Sequence, residues 1–244
     1  MATYGLGTFP GRSGTEKHGA WNTPNVVIMT SIGSITLEVA DVTAANRFYT
    51  TLGLDTQIRL RGSEAPTTGF RGFTLSVTVA QPADVDSLVG TALDAGASPL
   101  KPAAKSFWGY GGAVQAPDGT TWTVASSTKK DTGPATQQID SIVLLLGVAD
   151  VKASKQFYVD QGLAVKRSFG GKYAEFDTPE SRVTLALYGR RHLAKNAGVS
   201  ADGSGSHRLI IGSDAGPFTD LDGFAWEAPS REPDAAAEWM DGVR

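Results

Sequence analysis

Cysteine is absent from the 244 residues, and histidine is nearly so, with only His18, His192 and His207. Without a thiol there is no disulfide framework, no cysteine-ligated zinc or iron–sulfur cluster, and no thiolate nucleophile. A histidine-only metal centre would need all three imidazoles, and His18 sits in a Gly-rich tail, so any metal would lean on carboxylates. Charge of one sign is lacking as well. Twenty-two Lys and Arg against 25 Asp and Glu leave a net charge of −3, which gives no electrostatic footprint for nucleic acid or an anionic membrane. No apolar run approaches the ~20 residues of a spanning helix, and the polar start has no signal-peptide core. The expectation is a cytoplasmic protein that binds neither nucleic acid nor membrane. Dinucleotide, Walker, serine-elbow and HExxH motifs are also missing.

What the chain does contain is a duplication. Residues 39–54 (VADVTAANRFYTTLGL) match 148–163 (VADVKASKQFYVDQGL) at nine of sixteen positions, at an offset of 109. Residues 117–123 (PDGTTWT) face 221–227 (LDGFAWE) at an offset of 104, with Asp-Gly and Trp in step. Two ordered matches at nearly equal offsets divide the chain into related halves, 31–126 and 139–228. A polar linker with Gly and Pro joins them at 127–138. A Gly-rich tail, 1–30, precedes them and a tail at 229–244 follows, with a short helix expected around 235–240.

Each copy has legible local structure. Ile35, Leu37 and Val39 alternate with polar residues, predicting a strand over 34–40. Asp41 stands at an N-cap position, and Val42, Ala45, Phe48, Tyr49 and Leu52 mark a short amphipathic helix that Gly53 stops. The second copy repeats this with a strand at 142–148, Asp150, a helix through Phe157 and Tyr158, and Gly162. At this spacing the Phe-Tyr pairs belong to the core. Further strands are expected near 73–79, 122–124, 172–176 and 183–188, with a helix over 82–95. Four strand–helix–strands units result. The first lacks room for its last two strands, and the fourth lacks room for its helix.

These residues resemble the vicinal oxygen chelate superfamily, which includes glyoxalase I, bleomycin-resistance proteins, fosfomycin-resistance enzymes and extradiol dioxygenases. The resemblance rests on the Val-Ala-Asp, Phe-Tyr and Gly-Leu sets at 39–54 and 148–163, and on the Asp-Gly/Trp closures at 117–123 and 221–227. It implies an α+β fold of paired βαβββ modules around a cup, in two tandem halves with truncated outer modules. It further implies metal ligands at two kinds of position: a His or Gln seven residues before each capping Asp, and a Glu five residues after the Asp of each Asp-Gly turn. Ser34 and Val143 hold the first position in units one and three. Phe70 or Arg71 opens unit two, and Thr123 closes it. Only unit four fills both places, with His207 seven before Asp214 and Glu227 five after Asp222, as metal ligands or as a metal-free acid–base pair. Asp140, Glu38 or Glu175 would have to complete a metal site.

Two further clusters suggest ligand contact. Lys105, Phe107, Trp108 and Tyr110 combine a cation with aromatics between glycines, which suits a concave apolar site or a core-plugging hairpin. Tyr188 and Arg190 open the densest basic run, where an arginine fork would suit a carboxylate or phosphate, or simply a solvated helix face. The reading is a metal-independent protein that holds a small organic metabolite or natural product in an aromatic-lined cup, as monomer or homodimer, with no cofactor. It sequesters the ligand or transforms it by lyase or isomerase chemistry. One alternative is a divalent-metal lyase, isomerase or dioxygenase using His207 and Glu227; the other is a non-catalytic dimerising scaffold.

Overall fold

The computed structural model describes residues 30–107, 109–178, 181 and 183–228. Trp108 and the helix expected around 235–240 lie outside these residues. Unit one runs β1 (Ile32–Val39), α1 (Val42–Thr51) and β2 (Ile58–Gly62), followed by a short β3 (Thr67–Gly69). Unit two is a full βαβββ module: β4 (Phe73–Thr78), α2 (Pro82–Asp94), β5 (Ser98–Ser106), β6 (Gly109–Gln115) and β7 (Thr121–Ser126). Unit three repeats it as β8 (Ser141–Val148), α3 (Val151–Asp160), β9 (Ala164–Phe169), β10 (Tyr173–Asp177) and β11 (Val183–Gly189). Then come α4 (Arg190–Ala197), β12 (Gly203–Gly205) and the helix-free unit four, β13 (Leu209–Ser213), β14 (Phe218–Thr219) and β15 (Ala225–Glu227).

Local chemistry accounts for the repeated elements. Asp41 caps α1 by accepting the Ala44 N–H at 2.9 Å, and Asp150 caps α3 by accepting from Lys152 and Ala153. Each cap contributes about 1 kcal/mol. Gly53 and Gly162 follow the two helices in the left-handed region, at φ 68° and 92°, where a side chain would be strained. The linker is tied down: Gln81 and Asp84, at the start of α2, bond its backbone at Thr132, Gly133, Pro134 and Thr136. These bonds satisfy two polar side chains that are almost fully buried.

Strand pairing crosses the two halves. The eight-stranded sheet has the order β5-β6-β7-β4-β8-β11-β10-β9, with β4 antiparallel to β8 at its centre. The five-stranded sheet, β14-β15-β13-β1-β2, joins the first and fourth units through antiparallel β1 and β13. In unit one β2 lies parallel and adjacent to β1, the place that β7 and β11 occupy beside β4 and β8. The strand missing from unit one is therefore not the closing one. The strand after α1 takes the closing position directly, and β3 leaves to pair with β12.

The buried tyrosines, by contrast, stay within the halves. Tyr49 of α1 donates to Asp118 Oδ2 at 2.7 Å and lies 5.7 Å from the Trp122 ring. In the second half Tyr158 of α3 donates to Asp220 and lies 5.3 Å from Trp226. Both halves thus use a buried tyrosine to tie a helix to the turn of the neighbouring module, but through different acceptors: Asp118 of the Asp-Gly turn in the first half, and in the second Asp220, two residues before the Asp-Gly, while Asp222 accepts from the Ala149 N–H and the Ser154 hydroxyl. Both sheets share a single core, which includes all four of these rings.

Candidate functional site

Strand register locates the positions where the superfamily would hold a metal. Leu75 pairs with Trp122, Leu144 with Leu185, Ile35 with Ile58 and Ile211 with Trp226. Across the central ladders Leu75 also faces Leu144, and Ile35 faces Ile211. These four residues are therefore equivalent, and the strand-opening position immediately before each is Thr74, Val143, Ser34 and Ile210. Their closing-strand partners are Thr123, Ala186, Arg59 and Glu227, one residue on in each register. One carboxylate among eight positions does not fit a divalent cation, which needs three or more protein ligands. Among the described residues no group of three or more acidic or histidine side chains could hold one.

The register also corrects two readings of the sequence. In unit two the helix is capped from Gln81, so Thr74, not Phe70 or Arg71, opens the strand. In unit four Asp214 caps no helix; it accepts the Ser31 hydroxyl instead. Counting back from Asp214 misplaces the opening position by three residues, onto His207. Glu227 sits beside Gly212, five residues beyond His207 in the same direction. The chain between them bends at Arg208, with φ 51°, and the two side chains are held by different partners, so they do not form a pair.

Each has other work. The His207 ring stacks on Phe224 at 4.0 Å, with Nδ1 against the Arg71 carbonyl and Nε2 3.1 Å from the Asp222 carbonyl. Neither nitrogen presents a lone pair to a ligand. His207 ties the chain entering β4 to the turn before β15. Glu227 accepts both terminal nitrogens of Arg61, at 3.0 and 2.9 Å, and this pairing holds its carboxyl below the usual range, against the opposing effect of burial. Arg61 is on β2 and Glu227 on β15, with β13 and β1 between them. Three strand spacings of about 4.8 Å separate them in a flat sheet, so the five-stranded sheet curls and the ion pair bridges its open face.

The larger cup is occupied by the protein itself. Helix α4 lies on the face of the eight-stranded sheet opposite the core and approaches β11, β8, β4, β7 and β6. Leu193 and Ala194 are buried there with Phe70, against Leu145 and Tyr188. Gly147 makes room, since a Cβ on it would meet Arg190 Cα and Leu193 Cδ2, both at 3.2 Å. Arg190 anchors the helix: its guanidinium donates to the Ala201 and Phe70 carbonyls at 3.1 and 2.6 Å and covers the Phe70 ring. The expectation that Arg190 binds a ligand is corrected accordingly. Its donors are spent on positioning α4.

Beside α4, strands β9, β10 and β11 carry a row of rings that are half-buried or exposed. Phe169 and Tyr173 rings lie 5.9 Å apart, Tyr173 and Tyr188 5.8 Å, and Tyr188 and His192 of α4 6.3 Å. Cross-strand pairing causes this row, because Tyr173 faces Phe169 on one side and Tyr188 on the other. Under it lies Glu175, whose side chain is only 5% exposed. Its Oε2 accepts from the Tyr173 hydroxyl and from Arg167 Nε, both at 2.7 Å, while Lys166 stands 3.5 Å from Oε1. Burial raises the Glu175 carboxyl, but these three donors outweigh it and hold the group below its ordinary value. Burial and the same contact push the Tyr173 phenol well up.

Sequence reasoning singled out Tyr188 but not its neighbours Phe169, Tyr173, Arg167 or Lys166, and it named Glu175 only as a metal ligand. The signal was present in 169–173, FGGKY, where a Gly-Gly turn sets the two aromatics opposite each other. The other aromatic cluster lies elsewhere. Tyr110 shares a strand face with core residue Val114 and donates to Asp86 of α2 at 2.8 Å. Lys105 pairs with it in register. Both are on the helix side of the sheet, away from the cup, because side chains alternate along β6. Phe107 is 83% exposed in the turn between β5 and β6.

Two cavities are lined by none of these side chains. One, of about 20 Å³, is an apolar gap among core residues such as Phe48 and Trp122, too small for a ligand. The other, of about 410 Å³, opens at the start of β1 between Ser34, Gln57 and Ser181. Its hydroxyls are partly committed, Ser31 to Asp214 and Ser181 to the Ile32 carbonyl.

The sequence matches no family model and no curated protein. Solved structures do match. Glyoxalase I from Zea mays is 17% identical over 81% of this chain and 91% of its own, with a TM-score of 0.51. Two substituted forms of that enzyme give the same score at 15% and 16% identity. Paired βαβββ modules, Asp-Gly/Trp closures and this likeness agree: the chain has the fold of glyoxalase I.

Proposed function

We propose that the protein binds a small, flat organic molecule, without a metal, on the aromatic row between α4 and the β9–β11 edge of the large cup. The row of Phe169, Tyr173, Tyr188 and His192 carries this reading. Tyr173 and Tyr188 meet at 69°, so a planar ring can stack on one while its edge meets the other, an arrangement contributing about 1 kcal/mol per aromatic pair beyond burial. The protein then sequesters the molecule, or turns it over by lyase or isomerase chemistry. A metal-dependent reading through His207 and Glu227 draws no support from their partners.

The test is a thermal-shift screen of planar aromatic compounds with EDTA-treated protein. Stabilising compounds are expected to retain their effect without divalent ions and to lose about tenfold in affinity in Tyr188→Ala, from the stacking contribution. A requirement for a divalent ion, or indifference to Tyr188→Ala, would overturn the proposal.

A further inference from the structure

The charges around the aromatic row point to the kind of molecule it takes. The β9–β10 ladder pairs Arg167 with Glu175 but Val165 with Phe176, leaving Lys166 as an extra residue on β9. Such a bulge re-aims side chains, and here two consecutive cations turn toward one carboxylate. Glu175 is sealed beneath them. Oε2 takes Arg167 and the Tyr173 hydroxyl, and Oε1 faces Lys166. The cations remain open to solvent, with Lys166 57% and Arg167 59% exposed. Lys166 and Arg167 against Glu175 leave a surplus of +1 at the Tyr173 end of this face, in a chain whose total is −3; the exposed Asp177 lies two residues further along β10, away from the aromatic row. The stem of Lys152 also lies close to the Gly170-Gly171 turn, within 3.4 Å of where a Cβ on Gly171 would stand. An organic cation would meet this surplus with Glu175 already buried and used.

Resting on the reading of this row as the ligand site, we propose that it recognises a planar organic anion, an aromatic or conjugated ring system bearing a carboxylate. The ring lies against Tyr173 and Tyr188, and the carboxylate lies toward the outer faces of Lys166 and Arg167. Arginine and lysine here hold the anion while staying anchored from below, which limits the ordering that binding requires.

Calorimetric titration of the full chain with 2-naphthoate and its neutral isostere 2-naphthamide tests the inference. The expected result is tighter binding of naphthoate by fivefold or more, shrinking as salt is raised from 50 to 500 mM. Lys166→Gln is expected to weaken naphthoate about threefold, leave naphthamide binding unchanged, and be rescued by Lys166→Arg. Equal binding of the two probes, still sensitive to Tyr188→Ala, would overturn the charge inference while leaving the ligand site intact. Failure of both probes to bind, or binding indifferent to Tyr188→Ala, would overturn the site and the inference together.

Discussion

Glu175 and Asp220 show how two buried carboxyl groups acquire opposite pH behaviour. Glu175 is buried among donors, and its carboxyl titrates below its ordinary range. Its stabilising contribution is therefore complete above the usual carboxylate value of about 4.3 and is lost as the pH falls through the lower folded value. Glu175→Gln is expected to lose about 2 kcal/mol at pH 7, from the charge-assisted hydrogen bonds. That gap should close toward pH 3, as measured by urea unfolding of both proteins at each pH. Asp220 runs the other way. Burial next to Tyr158 raises its carboxyl despite the hydrogen bonds it accepts, so the stability it contributes in acid declines as the pH rises through the raised value.

Among the elements, α4 is the least self-sufficient. It has eight residues, no side-chain cap at Gly189, and Arg190 and Arg191 at the end where the helix dipole disfavours cations. An isolated helix needs roughly 12–15 residues to be even marginal. Packing of Leu193, Ala194 and Ala197 into the cup, with Arg190 and a left-handed Gly198 at its end, keeps it folded. Amides of 193–197 are expected to exchange with deuterium at least 100-fold faster than those of Leu144 and Leu146 in β8, as read by residue-resolved exchange. Equal protection would mean that α4 opens only with the whole fold.

This element also marks where the sequence stops being legible. Strands β1 and β8 and helices α1 and α3 were readable because alternation, capping Asp and stopping Gly are all local. Helix α4 buries only Leu193, Ala194 and Ala197 in its eight residues, so its short apolar face read as a basic rim segment. Register was unreadable for the same kind of reason. Nothing near Asp214 says that it caps no helix, and the three-residue error that followed put His207 in the wrong place. Tyr188 stood out as an aromatic in a basic run, whereas Tyr173 matters only because two ladders set it between Phe169 and Tyr188.

At the scale of the molecule, strand pairing crosses the halves while the tyrosine clamps stay within them. A cut in the linker should therefore leave the protein whole. Lys129 and Lys130 are exposed, and limited trypsin digestion there is expected to yield two pieces that remain together in native mass spectrometry and part only in denaturant. Pieces that separate under native conditions would contradict the shared sheets.

The pairing of β1 with β13 also sets a timetable for synthesis. Ile35 finds its neighbour at Ile211, 211 − 35 = 176 residues later. At translation rates of about 5–20 residues per second, β1 waits on the order of ten to thirty seconds with one edge unpaired. Until the last strands emerge from the ribosome, that edge is open to any other nascent chain, and the order of the sequence makes β1, the first of the described strands, among the last to be covered.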